Sequence, residues 1–171
     1  MKNLYQIDEF LDKSEIDNLE SIFKEVPWKL VTDRDDGYGR FKTLGLARHL
    51  DRVEIMPFEQ YLLDLIRNFT LETDEIPSNI LPHTIYYNAI RYGDKFKWHT
   101  DGTGPTFLIY GNKRWNRFWK GHTIFKGRGK VLPAPGRMIV FPGNTPHKAS
   151  APSRFFKEDA RFSFVVQTNL V

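Results

Sequence analysis

Residues 95–104 read KFKWHTDGTG, which sets His99 and Asp101 one residue apart between a run of aromatics and a glycine turn. In an extended chain, side chains at i and i+2 leave on the same side, so this polar pair points at one place. A neutral imidazole and a carboxylate held in that way are ligands for a divalent metal of intermediate hardness. Two histidines and one carboxylate on one face would leave three coordination positions open for chemistry. The pair therefore calls for a third ligand and for a fold that delivers it.

The sequence around the pair supplies that fold. From His83 onward the chain breaks into short β-rich runs, HTIYYNAIRYG, FKWHTD, TFLIYG, HTIFKG, GRMIVFPG and RFSFVVQTNL, punctuated by Gly, Pro and Asn. Many short strands of this kind indicate a sandwich or barrel. Two helices are expected ahead of them. Ser14 with Asp17 forms a candidate capping box, followed by an apolar stripe of Ile16, Leu19, Ile22, Phe23 and Val26 that stops at Pro27. A second helix is expected from about Met56, with Pro57 in its first turn and Phe58, Tyr61, Leu62, Leu65, Ile66 and Phe69 on one face. The expected architecture is mainly β with N-terminal helices: a double-stranded β-helix, or jelly-roll, core buttressed by α-helices. It is read as a single domain over 1–171, with 1–80 largely helical support and 81–171 the core.

Between the helices lies an irregular segment with the acidic stretch DRDDGYGR, 33–40. A calcium loop opening at Asp33 would need Gly at its sixth position and Glu at its twelfth, where this chain has Tyr38 and Leu44. The segment is read as a loop and a candidate lid.

Composition sets outer bounds. The chain has 171 residues, 40% hydrophobic and 15% aromatic, as a globular protein with a sizeable core requires. Its net charge of +4 permits anionic ligands without demanding nucleic acid. With no cysteine there is no disulfide, thiolate zinc site or cysteine nucleophile. The opening MKNLYQIDEFLDKSE is acidic where a signal peptide needs an apolar run, and no window approaches the roughly 20 apolar residues of a membrane span. A soluble cytoplasmic protein with no membrane partner is expected, its oligomeric state unspecified.

The third ligand candidate is His147, in FPGNTPHKASAP. In a jelly roll the second and seventh strands are neighbours in the smaller sheet, so an H-x-D ending one and a His starting the other converge. His99, Asp101 and His147 would then form the facial triad of a non-haem Fe(II) oxygenase.

Taken in order, RYGDKFKWHTDG, TFLIYGN, the KGHTIF strand, LPAPGRMIVFPGNTPH and ARFSFVVQ carry a family likeness. From about 83 to 171 the chain resembles the Fe(II)/2-oxoglutarate-dependent dioxygenases, most nearly their prolyl 4-hydroxylase-like branch. H-x-D alone is common, but its succession with G-R-x-x-x-F-P, His and R-F-S-F is specific. The resemblance implies that His99, Asp101 and His147 hold Fe(II) and that Arg161 and Tyr110 hold the distal carboxylate of 2-oxoglutarate. It further implies O2 as oxidant, ascorbate as a candidate reductant, and hydroxylation of a substrate C–H bond with release of succinate and CO2. Independently of family, an arginine on an inward strand face suits a diacid, because its planar fork binds a carboxylate bidentately.

Other residues are assigned by alternation. Tyr86, Asn88 and Tyr92 share one strand face, with Tyr92 placed on the cosubstrate side and Tyr86 and Asn88 in a substrate pocket. Ser163 and Gln167 share the face of Arg161 and join that pocket. The stretch GNKRWNRFWKGH, 111–122, interleaves basic and aromatic residues, and Arg114 and Arg117 in it are candidates for meeting an anionic substrate. Its competing reading is an amphipathic loop with its aromatics packed under the helices. His49, His83 and His122 are read as structural.

The expected substrate is a peptidyl residue, an amino acid or another small molecule. Alternatives are oxidative demethylation of nucleic acid, a noncatalytic jelly-roll binding module, and a cupin-like metalloenzyme. A binding module would lack a ligand, and a cupin would show H-x-H with a Glu.

Overall fold

The computed structural model describes residues 3–32, 42–50 and 54–171. The candidate lid at 33–40 lies outside the described residues. Two helices and two antiparallel sheets make up the rest.

The first helix, α1 (Lys13–Glu25), is capped two residues earlier than the sequence pattern implied. Asp12 is the cap: its side chain accepts from the Glu15 amide at 2.8 Å while Glu15 returns the bond to the Asp12 amide at 2.6 Å. Ser14 and Asp17 are inside the helix. A carboxylate cap outcompetes the hydroxyl downstream because it also meets the positive end of the helix dipole. The second helix, α2 (Pro57–Glu72), starts where Pro57 predicts. Its first turn is anchored by Glu59, fully buried, which accepts from the Met56 amide at 2.9 Å and from the Tyr87 hydroxyl at 2.8 Å.

Ten strands follow the chain: β1 (Tyr5–Ile7), β2 (Lys29–Thr32), β3 (Lys42–His49), β4 (Ile80–Ile90), β5 (Pro105–Tyr110), β6 (Thr123–Phe125), β7 (Gly129–Val131), β8 (Met138–Pro142), β9 (His147–Ala149) and β10 (Arg161–Leu170). Seven form one sheet in the order β1-β8-β5-β10-β4-β3-β2, and three form a second in the order β7-β6-β9. The N-terminal part is thus less helical than the sequence implied, since β1, β2 and β3 extend the larger sheet at both ends. The segment expected to be irregular between the helices includes β2 and β3, which pair with each other, and β3 pairs onward with β4. The FKWHTD run is not a full strand. It makes one bridge, His99 to His147, with backbone bonds of 3.0 and 2.9 Å.

Strand β5 shows why the sheet has two distinct faces. All six residues of PTFLIY are buried, yet alternate ones go opposite ways. Phe107 and Ile109 join Leu19, Phe23, Leu62 and Ile66 of the helices in one core, whereas Leu108 and Tyr110 join Phe125, Val131, Ile139 and Phe141 in another between the sheets. The helices cover the outer face, leaving the inner one to enclose a site. Among the described residues, no helix is long and apolar enough to cross a membrane.

Candidate metal centre

His99 and His147 are brought together by the single bridge between their backbones, and Asp101 is fixed beside them by its amide bond to the Gly143 carbonyl, 2.7 Å. Space for this crossing depends on glycine. A Cβ on Gly104 would lie 2.3 Å from the Thr168 carbonyl oxygen, and one on Gly143 would lie 2.5 Å from the Gly104 carbonyl oxygen. The turn after Asp101 is thereby pressed onto the two strands that frame it.

One ligand atom from each of His99, Asp101 and His147 lies within 4.8 Å of the others. His99 Nε2 stands 3.7 Å from Asp101 Oδ1, and His147 Nε2 stands 3.4 Å from Asp101 Oδ2. Each imidazole is oriented by its other nitrogen: His99 Nδ1 lies 3.2 Å from the Lys97 carbonyl and His147 Nδ1 3.0 Å from the Thr145 carbonyl. A carbonyl can only accept, so Nδ1 carries the proton and the Nε2 lone pairs are left facing the carboxylate. Burial holds the His147 imidazole below the ordinary histidine range, against the opposing pull of Asp101. It is also packed on Phe141 and Phe125, with ring centroids at 4.6 and 5.9 Å. His99 is the open side of the group, with its side chain about half exposed. Two neutral nitrogens and one carboxylate oxygen are the donor set that suits iron(II).

Thr106 was not singled out by sequence, although a polar residue on the inward face of PTFLIY is a readable signal. Its hydroxyl donates to Asp101 Oδ2 at 3.0 Å. It thus fixes one carboxylate oxygen and orients the other. Thr106→Val is expected to weaken Fe(II) binding about tenfold in a metal-competition titration, with an unchanged melting temperature in the metal-free protein. Unchanged affinity would make the bond incidental.

Arg161 is 1% exposed at the start of β10. Its Nη1 donates to the Gly121 carbonyl at 3.0 Å, its guanidinium lies 5.3 Å from the centre of the Tyr110 ring, and its Nε has no partner. Among the described residues no carboxylate pairs with it. Burial works against its charge, and it also pushes the Tyr110 phenol up. The Tyr110 hydroxyl shares a 2.8 Å bond with Thr123 Oγ1. Two steps along the β6 run link this end to the histidines: Gly121 meets Arg161, Thr123 meets Tyr110, and Phe125 pairs with His147. At strand spacing the four residue steps from Gly121 to Phe125 span roughly 13 Å.

Cross-strand register sorts the remaining candidates. Ser163 is opposite Asn88 and Tyr110, and Gln167 is opposite Thr84 and Thr106, so Ser163, Gln167, Asn88 and Tyr86 share the inner face. Ser163 is fully buried with an unpartnered hydroxyl. Burial raises the Tyr86 phenol, with the Asp101 charge adding to the rise. Three candidates are not drawn in. Tyr92 lies beyond the end of β4 and is 66% exposed. Arg114 is an exposed residue paired with Glu158 at 2.6 Å, and Arg117 is exposed over the Phe118 ring. The aromatics of the 111–122 loop do not pack under the helices either: Trp115 and Trp119 pack on each other and on Phe156. Of the histidines read as structural, His122 is held below its usual range by burial and nearby cations, and His83 bonds Thr84 at 2.8 Å. The His49 side chain lies outside what is described.

Neither a family model nor a curated protein matches the sequence. Solved structures do match. A 2OG-Fe(II) oxygenase family oxidoreductase from Burkholderia pseudomallei aligns over 97% of this chain and 84% of its own, with TM-score 0.72 and 16% identity. This chain has its fold. The viral collagen prolyl hydroxylase of Paramecium Bursaria Chlorella virus-1, solved as a 2OG complex, aligns over 99% of this chain and 97% of its own, with TM-score 0.68 and 17% identity. A Trichoplax adhaerens prolyl hydroxylase in complex with a hypoxia inducible factor peptide fragment aligns over 98% and 84%, with TM-score 0.69 and 14% identity.

Proposed function

We propose that the chain, as a single jelly-roll domain, is an Fe(II)- and 2-oxoglutarate-dependent dioxygenase that hydroxylates a C–H bond of a peptidyl residue, amino acid or other small molecule. The observation that carries this reading is a convergent His-Asp-His donor set facing the same interior as a buried arginine that has no counter-ion among the described residues. Leaving a guanidinium in a dry interior costs several kcal/mol unless an anion meets it, so the pocket is organised around a ligand that carries a carboxylate.

In this reading His99, Asp101 and His147 hold iron, and Arg161 takes the distal carboxylate of 2-oxoglutarate through the donors left over from Gly121. Bound there, iron and 2-oxoglutarate supply the oxidising power of O2, yielding succinate, CO2 and the hydroxylated product. The chain's own part is placement. Tyr110 and Thr123 shape the carboxylate end, while Phe125 and Phe141 exclude water around His147. Asn88, Tyr86, Ser163 and Gln167 line the wall offered to the substrate. Asp101 in the middle position keeps the carboxylate ligand, which favours hydroxylation over halide transfer. The Trichoplax neighbour's peptide complex supports a peptide substrate, and the donor set, complete as it is, speaks against a noncatalytic module. The test is a screen of proline-containing peptides, free amino acids and alkylated oligonucleotides for substrate-stimulated succinate formation. Stimulation by the oligonucleotides alone would move the function to nucleic-acid demethylation.

A further inference from the structure

Two neighbouring segments, one before β6 and one after β9, carry two exposed phenylalanines that no core uses. Phe118 is 64% exposed and Phe155 61%, and each has the guanidinium of its preceding arginine, Arg117 or Arg154, 4.9 Å from the ring centre. The two segments are tied together. The Ser153 amide donates to the Trp119 carbonyl at 2.7 Å and its hydroxyl to the Phe118 carbonyl at 2.9 Å, and Lys120 bridges to Pro152. Beneath them Trp115, Trp119 and Phe156 pack with centroids 5.1 to 5.7 Å apart. The backbones that carry the two exposed rings are thereby held together, so docking onto them costs little ordering of the chain.

Charge is unbalanced there as well. Arg117, Lys120, Arg154 and Lys157 have no carboxylate partner among the described residues, whereas Arg114 is spent on Glu158 and Lys113 on Asp17 and Glu20. A third cation on an aromatic ring, Lys148 at 4.8 Å over the half-exposed Trp98, flanks both His99 and His147. From Lys148 the chain runs as β9 and its continuation past Pro152 to Ser153 and Phe155, which joins the mouth of the proposed site to the exposed phenylalanines.

We propose that this surface is a docking site for an acidic, extended peptide segment of a substrate polypeptide, outside the residue that is oxidised. Carboxylates would meet the free edges of the stacked guanidinium groups, and apolar side chains would cover Phe118 and Phe155. A peptide fits better than nucleic acid because Glu158 and Asp159 interrupt the cationic surface: a peptide can place its carboxylates away from them, whereas a phosphodiester backbone carries a charge at every step. The choice of a substrate polypeptide rests on the hydroxylase reading; the surface itself does not.

The experiment is fluorescence anisotropy of a labelled peptide alternating aspartate with leucine, against its asparagine twin and a single-stranded oligodeoxynucleotide of equal charge. The parent should bind the acidic peptide at least tenfold more tightly than the twin, and the preference should shrink with added salt. Phe118→Ala combined with Arg154→Gln should lose tenfold or more, with melting temperature unchanged as a check on folding. Equal binding of acidic and neutral peptides, a variant that binds like the parent, or tighter binding of the oligonucleotide would each overturn the proposal. Chelation of 2-oxoglutarate by the same iron-loaded samples is a separate readout, whose absence overturns the hydroxylase reading and leaves the docking result standing.

Discussion

Arg161→Ala is expected to weaken 2-oxoglutarate binding roughly 30- to 1000-fold, the loss of on the order of 2 to 4 kcal/mol that follows when one partner of a buried, charge-assisted contact is removed. The guanidinium is buried, its Nη1 is taken by the Gly121 carbonyl, and its Nε has no partner, so donors are in place for an incoming carboxylate. Arg161→Lys should recover only part of the affinity, because an ammonium is a point charge without the planar fork. Arg161→Met separates the binding role from a structural one. Removing a buried charge that has no counter-ion among the described residues should leave the ligand-free protein as stable as the parent or more so, while iron binding stays intact. A variant that melts earlier yet binds 2-oxoglutarate normally would make Arg161 a structural residue that holds the 121 turn.

His99→Ala and Asp101→Ala are each expected to abolish stoichiometric Fe(II) binding and succinate formation together. His99 is half exposed, so its loss opens no cavity in the core, whereas the Asp101 side chain is buried and accepts from Thr106, so the spectra are the check that its variant keeps the fold. Equilibrium dialysis with Fe(II) should give one ion per parent chain and none in either variant, with matching far-UV spectra. Unchanged stoichiometry in both would remove the triad assignment.

The centre of the site was legible because its determinants are local. The i, i+2 spacing of His99 and Asp101 and the turn before His147 survive any error in the strands between. Inward alternation along RFSFVVQ was equally readable, and it placed Arg161, Ser163 and Gln167 on one face, as the register with β5 and β4 has it. The rest depended on tertiary partners. Tyr92 continues the alternation of Tyr86 and Asn88 in sequence, but β4 ends at Ile90 and the periodicity ends with it. Arg114 and Arg117 were drawn toward the pocket by composition alone, and Glu158, distant in sequence, holds Arg114 on the surface. Strands β1, β7 and β9, of three residues each, are too short to show a period, and they lack the β-branched and aromatic run that marks the equally short β6. Likewise the cap of α1 went to Asp12 rather than Ser14, because the choice between two acceptable caps two residues apart turns on the charge that each brings to the helix end.

The most direct measurement is an anaerobic titration of 2-oxoglutarate into the Fe(II)-loaded protein, following the visible charge-transfer absorbance that chelation of the oxo acid to iron produces. A band that saturates at one equivalent per chain, shifts to much higher concentrations in Arg161→Ala and is absent in Asp101→Ala is the expected result. An iron-loaded parent that shows no band, or one that is equally strong in the Asp101→Ala protein, would contradict the assignment of this pocket to iron and 2-oxoglutarate.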